Sequence, residues 1–196
     1  MSVVLTIKNQ TPDFIRVAVF KQRYNAPRLN TVAWQVVQPD VNGQCSIPIP
    51  TEYVVYVNSG FCETRRVTIY SNQAKFIARD VATSDGAATT VTLEGPLDPE
   101  VPNQINIENQ ASTCVSTHVQ KDGSDIYLSQ KLAYGQTHEE DVRPTLYVAV
   151  INEFLRKGER LVDADITTTP FECLAGDTIL VAGSLCGQSG YSFTKE

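Results

Sequence analysis

Apolar and polar positions alternate with a period of two along most of this chain, the spacing that sends successive side chains to opposite faces of a strand. Val3, Leu5 and Ile7 share one face of an N-terminal segment, and Ile15, Val17 and Val19 share one face of residues 14–20. Tyr53-Val54-Val55-Tyr56-Val57 is an unbroken β-branched and aromatic run, which suits a strand covered on both faces. The spacing predicts further strands at 66–71, 74–78, 89–93, 104–108, 115–120, 126–132, 146–152, 165–169, 178–182 and 191–194. Pro12-Asp13, Asn42-Gly43, Asp85-Gly86, Asp122-Gly123 and Gly176-Asp177 supply turns between them. Residues 152–160 tempt a helix assignment, but Gly158 and the lack of an apolar stripe favour a connection. Many short strands with turns between them predict an all-β protein, an antiparallel β-sandwich.

A second periodicity is longer. Leu5-Thr6-Ile7-Lys8-Asn9-Gln10 is echoed by Ile105-Asn106-Ile107-Glu108-Asn109-Gln110, and Val19 and Lys21 by Val119 and Lys121. Thr51-Glu52-Tyr53-Val54-Val55-Tyr56 resembles Thr145-Leu146-Tyr147-Val148-Ala149-Val150, so Tyr53 is expected to match Tyr147. The sandwich is therefore expected to have two pseudo-repeated halves, 1–95 and 104–196. The Pro-rich stretch 96–103 is expected to connect them.

Composition narrows the partners. Hydrophobic residues at 42% and a net charge of −6 exclude a disordered chain. Arg65-Arg66 and Arg156-Lys157 are the only basic dipeptides and no larger basic cluster occurs, so neither nucleic acid nor an anionic membrane is an expected partner. No run approaches the roughly 18 apolar residues of a membrane span. The first residues lack the pattern of a secretory signal, which makes the cytoplasm the expected location unless a leaderless route exports the protein. Cys45, Cys62, Cys114, Cys173 and Cys186 are odd in number and form no CxxC, so they are expected to be reduced, buried thiols.

Candidate chemistry is sparse. Cys114 and His118 would lie about 13 Å apart on one strand, too far to share a metal. His138 with Glu139-Glu140-Asp141 has metal-ligating residue types but is expected to be a solvated acidic turn. Asp163 and Asp165 could pair as acid and base, and a solvated edge is the commoner outcome. Asp122-Gly123-Ser124-Asp125 lacks the terminal Glu of a calcium loop, since position 12 is Ala133. No nucleophile elbow or phosphate loop occurs, and a dyad of Cys186 or Cys173 with a histidine is the least poor enzymatic alternative. No enzyme activity, cofactor or metal is expected. Trp34, Tyr24 and Tyr56 are the candidate ligand-binding residues, because aromatic rings stack on sugars.

Asn9-Gln10 after the first strand, Val17-Ala18-Val19-Phe20-Lys21-Gln22, Asn30-Thr31-Val32-Ala33-Trp34 and the Tyr-rich Tyr53-Val54-Val55-Tyr56-Val57 follow one another in an order that resembles the bacterial rhizosphere-induced protein family. This chain has Ser46-Ile47-Pro48-Ile49-Pro50 where that family usually carries a Trp, and its C-terminal third gives no match. The resemblance implies a β-rich bacterial protein. It implies no reaction and transfers no functional residue.

The expected function is a non-catalytic structural or interaction protein that self-associates as an oligomer or filament. A carbohydrate-binding module using Trp34, Tyr24 or Tyr56 is the alternative. Strand edges template further strands unless charge, Pro or cover blocks them. Pro48 and Pro50 are expected to block one edge, and Val115-Ser116-Thr117-His118-Val119 is expected to be an open one.

Overall fold

The computed structural model describes residues 2–23, 31–60, 62–83, 89–99, 101–187 and 190–196. Strand makes up 56% of these residues, and among them helical structure is confined to one 3-10 turn at Asp163–Asp165. Several sheets pack together as an all-β sandwich. The strands form two compact units.

The first unit comprises Met1–Thr51 and Pro144–Glu196. Its N-terminal part supplies β1 (Ser2–Asn9), β2 (Arg16–Phe20), β3 (Gln35–Val37) and β4 (Gln44–Pro50). The second unit, Glu52–Arg143, holds β5 (Tyr53–Ser59), β6 (Cys62–Glu63), β7 (Val67–Ile69), β8 (Ala74–Ala82), β9 (Thr89–Leu97), β10 (Gln104–Asn109), β11 (Val115–Lys121), β12 (Ser124–Asp125), β13 (Gln130–Leu132) and β14 (Thr137–Asp141). The chain then returns to the first unit with β15 (Leu146–Ile151), β16 (Phe171–Cys173), β17 (Thr178–Gly183) and β18 (Tyr191–Lys195).

In the first unit one sheet runs β18-β17-β1-β4 and the other β16-β15-β2-β3. The apolar character of β2 and β15 on both faces has a physical reason. Val17, Val19, Val148 and Val150 are buried on one face, while Ala18, Phe20, Ala149 and Ile151 pack with Ala33, Leu155 and Leu161 on the other. The connection 152–170 thus acts as a lid over the second sheet, and Arg16 clamps it by donating to the carbonyls of Asn152 (3.3 Å), Glu153 and Leu155 (2.8 Å).

In the second unit the sheets run β14-β10-β8-β9 and β12-β11-β5-β6, with β13 also on β11 and β7 on β5. Ile105, Ile107, Phe76, Val55, Val57, Val115 and Val119 are buried. Gly95 in β9 is required by its position: φ is +139°, and a Cβ there would lie 2.6 Å from the Phe76 ring.

The two units share one pairing scheme. β1 pairs antiparallel with β4 and parallel with β17; β10 pairs antiparallel with β14 and parallel with β8. β2 pairs antiparallel with β15, and β11 with β5. Val19 lies opposite Val148 and Val119 opposite Val55. With Val19 matched to Val119, Tyr53 then corresponds to Leu146 and not, as expected, to Tyr147. The burial sequences of β5 and β15 agree only in that register.

The compact units cut across the expected halves 1–95 and 104–196, because each takes strands from both. The stretch 96–103 joins β9 to β10 inside the second unit, and β9 runs into it as far as Leu97. Other corrections are local. Residues 126–132 are not one strand, since β12 and β13 leave a gap there; residues 165–169 begin on the last residue of the 3-10 turn and hold only an isolated bridge, Ile151 to Ile166. β3, β6, β12, β14 and β16 are too short or too polar to show apolar alternation and lie outside the predicted strands; β4 does alternate, with Cys45, Ile47 and Ile49 less exposed than Gln44, Ser46 and Pro48. β4 tolerates Pro48 and Pro50 because it is an edge strand, where a missing donor costs no ladder bond.

Candidate functional site

The aromatic candidates are placed first. Trp34 is 1% exposed, at the end of a segment bridged through Val32 to Arg160 in the first unit. Tyr56 is 5% exposed, and both faces of its ring are covered. The His118 imidazole stacks on one side at 4.6 Å, and the Arg66 guanidinium lies 4.4 Å from the ring centre. Tyr24 lies outside the described residues. No aromatic face among Trp34 and Tyr56 is open to a sugar.

The surroundings of Tyr56 form a polar network on one face of β5 and β11, in which Asn58 Oδ1 and Asp125 Oδ1 are buried without a hydrogen-bond partner among the described residues. Strand parity puts Tyr56 and Asn58 beside His118 and Gln120. His118 Nδ1 is 2.9 Å from Asp125 Oδ2, Asn58 Nδ2 is 3.3 Å from His118 Nε2, and Gln120 donates to the Tyr56 hydroxyl at 3.0 Å. Arg66 also pairs with Glu63 at 2.6 Å. Burial, and then the Asp125 carboxylate, raise the Tyr56 phenol above its ordinary pKa, while Arg66 opposes them. A histidine oriented by a carboxylate resembles part of a catalytic triad. Here its second nitrogen meets the Asn58 amide rather than a hydroxyl or thiol.

The other titratable candidates are dispersed. His138 and Glu140 were expected in a solvated turn, but both are 2% exposed on the inner face of β14, with His138 Nε2 3.3 Å from Glu140 Oε2 and Nδ1 2.6 Å from Thr117 Oγ1. Asp163 and Asp165 belong to the 3-10 turn, where Asp165 accepts from Asn152 and from the Val162 N–H. Among the described residues no three His, Cys, Asp or Glu side chains group to hold a metal, and no helix is long and apolar enough to cross a membrane. The thiols are a correction. All five are free, yet only Cys173 is buried; Cys45 is intermediate and Cys62, Cys114 and Cys186 are exposed. Burial pushes Cys173 up to about 12. A cavity of about 530 Å³ in the first unit lies beside the 152–170 connection, with Arg160, Asp163 and Thr167-Thr168-Thr169 among its walls. The hydroxyls of Thr167 and Thr168 are engaged with the β15 backbone at Val150.

Strand edges remain. The expected open edge at Val115–Val119 is not one: β11 is internal, bonded to β5 on one side and to β12 and β13 on the other. Most observed edges are guarded in one of the ways that discourage pairing. β4 carries Pro48 and Pro50; β3, β6, β7, β12, β13 and β16 have two or three residues. β14 carries Glu139, Glu140 and Asp141, and β18 ends in Lys195. β9 differs. It is nine residues long and, among the described residues, pairs with β8 alone, from Thr89 opposite Ala82 to Leu97 opposite Lys75; Glu94, Pro96 and a register shift opposite Lys75 and Ile77 guard its second half but not its first. Thr89-Thr90-Val91-Thr92-Leu93 is uncharged, rich in β-branched residues, and reaches no charge before Glu94. Thr90 and Thr92 are exposed and Val91 is buried, so the strand keeps its alternation to the edge.

No family model matches the chain, and no curated protein or solved structure matches it.

Proposed function

We propose that this chain is a non-catalytic structural or interaction protein that associates with copies of itself. The observation that carries this reading is the edge of β9: a nine-residue strand bonded on one side among the described residues, whose first five residues carry neither charge nor Pro. An edge of this kind offers a row of donors and acceptors to a second strand, and β-branched side chains suit a new sheet neighbour. Edge-to-edge pairing of β9 with another copy's β9 gives a two-fold dimer, and pairing with a different edge gives an open series. Carbohydrate binding finds no support in the placement of Trp34 and Tyr56.

Light scattering over a wide concentration range tests the proposal. The unaltered chain is expected to form dimers or larger species, and Thr92→Lys, which adds a charge to an exposed edge position, to shift them toward single copies without unfolding. A chain that stays single at every concentration sinks the proposal, as does association that Thr92→Lys leaves unchanged.

A further inference from the structure

The first unit is assembled from the two ends of the chain, and the second from its middle. Two seams join residues 1–51 to 144–196. One is the parallel pairing of β1 with β17, Thr6 to Asn9 against Thr178 to Val181. The other is the antiparallel pairing of β2 with β15, Arg16 to Phe20 against Tyr147 to Ile151. Side-chain bonds add to them: Asp13 accepts from the Leu185 N–H and the Tyr191 hydroxyl, both at 3.0 Å, and Arg16 holds the carbonyls of the 152–155 segment. In the second unit the equivalent seams, β10 with β8 and β11 with β5, join pieces that are neighbours in sequence. One scheme of complementary pieces is thus closed locally in one unit and by distant chain ends in the other.

We infer that the first unit also forms between copies, residues 1–51 of one copy pairing with residues 144–196 of another while each copy keeps its own second unit. This rests on the self-association proposed above and names its partner and its mode. Every seam contact is reproduced in the exchanged form, so it requires no new surface. The two arms leave the second unit through short connections, Thr51-Glu52 after β4 and residues 142–145 before β15, and short hinges are where exchange is favoured. A closed copy holds its arms at an effective concentration in the millimolar range. Exchange therefore occurs mainly when arms meet during folding rather than from the closed state. An exchanged copy offers residues 1–51 to one neighbour and 144–196 to another, a head-to-tail contact that builds rings or open chains.

Two full-length variants test this. The first carries Ala18→Asp in β2 and Trp34→Phe, which damages residues 1–51 and removes the only Trp. The second carries Ala149→Asp in β15, damaging 144–196 while keeping Trp34; Ala18 and Ala149 are buried partners across the seam. Refolded alone, the second variant is expected to show red-shifted Trp34 emission, because Trp34 has lost its cover. Refolded together, the two are expected to restore the emission of the unaltered chain in a particle of twice the chain mass, since one intact arm from each completes a first unit. Emission that stays red-shifted in the mixture overturns the inference. A second measurement needs no damaged arm: the unaltered chain, unfolded and refolded at rising concentration, is expected to yield a rising fraction of slowly dissociating dimers. Single copies at every concentration overturn the inference. Adding Thr92→Lys separates the two modes. Refolding dimers that survive it support exchange even if the edge of β9 does nothing, whereas dimers lost with it belong to that edge and overturn exchange.

Discussion

Asn9 and Asn109 make the same three side-chain hydrogen bonds, one at the end of β1 and the other at the end of β10. Each donates through Nδ2 to the carbonyl four residues ahead, Asn9 to Asp13 at 3.0 Å and Asn109 to Thr113 at 2.9 Å. Each donates also to a remote carbonyl, that of Pro39 in a loop or of Leu132 at the end of β13, and accepts from the N–H two residues on, that of Thr11 or Ala111, at 2.9 Å. Both residues are buried. A buried carbonyl that loses its donor costs about 1–3 kcal/mol, so one Asn ties together a strand end, a turn and a remote segment.

Asn9→Ala and Asn109→Ala are each expected to cost about 3 kcal/mol: Asn109→Ala strands two carbonyls and one N–H, while Asn9→Ala strands the Pro39 carbonyl and the Thr11 N–H and leaves the Asp13 carbonyl to the Thr11 hydroxyl at 3.1 Å. The two should differ in their reporter. Trp34 belongs to the first unit, so its fluorescence transition in denaturant is expected to move with Asn9→Ala and to move less with Asn109→Ala. Equal movement would show that the two units unfold as one.

The repeat of these asparagines is visible in the sequence because a buried Asn at a strand end is an unusual requirement, and the apolar parity of β1, β2, β5 and β10 is equally plain. Pairing partners are not. Val115-Ser116-Thr117-His118-Val119 has few charges whether it lies at an edge or, as observed, between β5 and β13, since neighbours are chosen by remote parts of the chain. His138 and Glu140 defeat the alternation rule by putting charge-capable groups inward. Val142, buried at the same parity, was the signal that could have set their phase. The division into units was beyond reach for a related reason: the apolar runs of β2, β5, β11 and β15 are alike enough that each fits a partner in either half of the chain.

The thiols provide a separate check. Cys62, Cys114 and Cys186 are exposed and are expected to react promptly with an excess of a thiol reagent in the native protein, with Cys45 slower. Cys173 is buried and its pKa is raised to about 12, chiefly by burial and further by Asp177, so it is expected to react only after unfolding. Prompt reaction at Cys173, identified by mass spectrometry of labelled peptides, would mean that β16 opens from the sheet under native conditions.

Lys121 sets a pH dependence. Its Nζ lies 4.0 Å from the centre of the Tyr53 ring, and the residue is buried at the end of β11. Burial lowers its pKa to about 8, with Glu52 opposing the shift. The unfolded chain keeps this proton until about pH 10.4, so between about pH 8 and that value the unfolded state binds more protons at this group and its contribution to stability rises with pH. Cys173 opposes this gain above the ordinary thiol pKa of about 8.5, since the folded state keeps its proton to about 12, and Tyr53 opposes it further up. Its phenol donates to the Val142 carbonyl at 3.2 Å, and burial, then the Asp141 carboxylate, raise its pKa well above the ordinary tyrosine value. Unfolded tyrosine ionises near about pH 10, and above that point the unfolded state binds fewer protons and stability falls. Lys121→Met keeps the apolar stem and removes the buried ammonium. Urea unfolding followed by circular dichroism is expected to show that Lys121→Met loses stability relative to the unaltered chain as pH rises from about 8 to about 10, because the Lys121 gain no longer offsets the loss from Cys173. A variant whose profile runs parallel to that of the unaltered chain would show that Lys121 holds its charge in water.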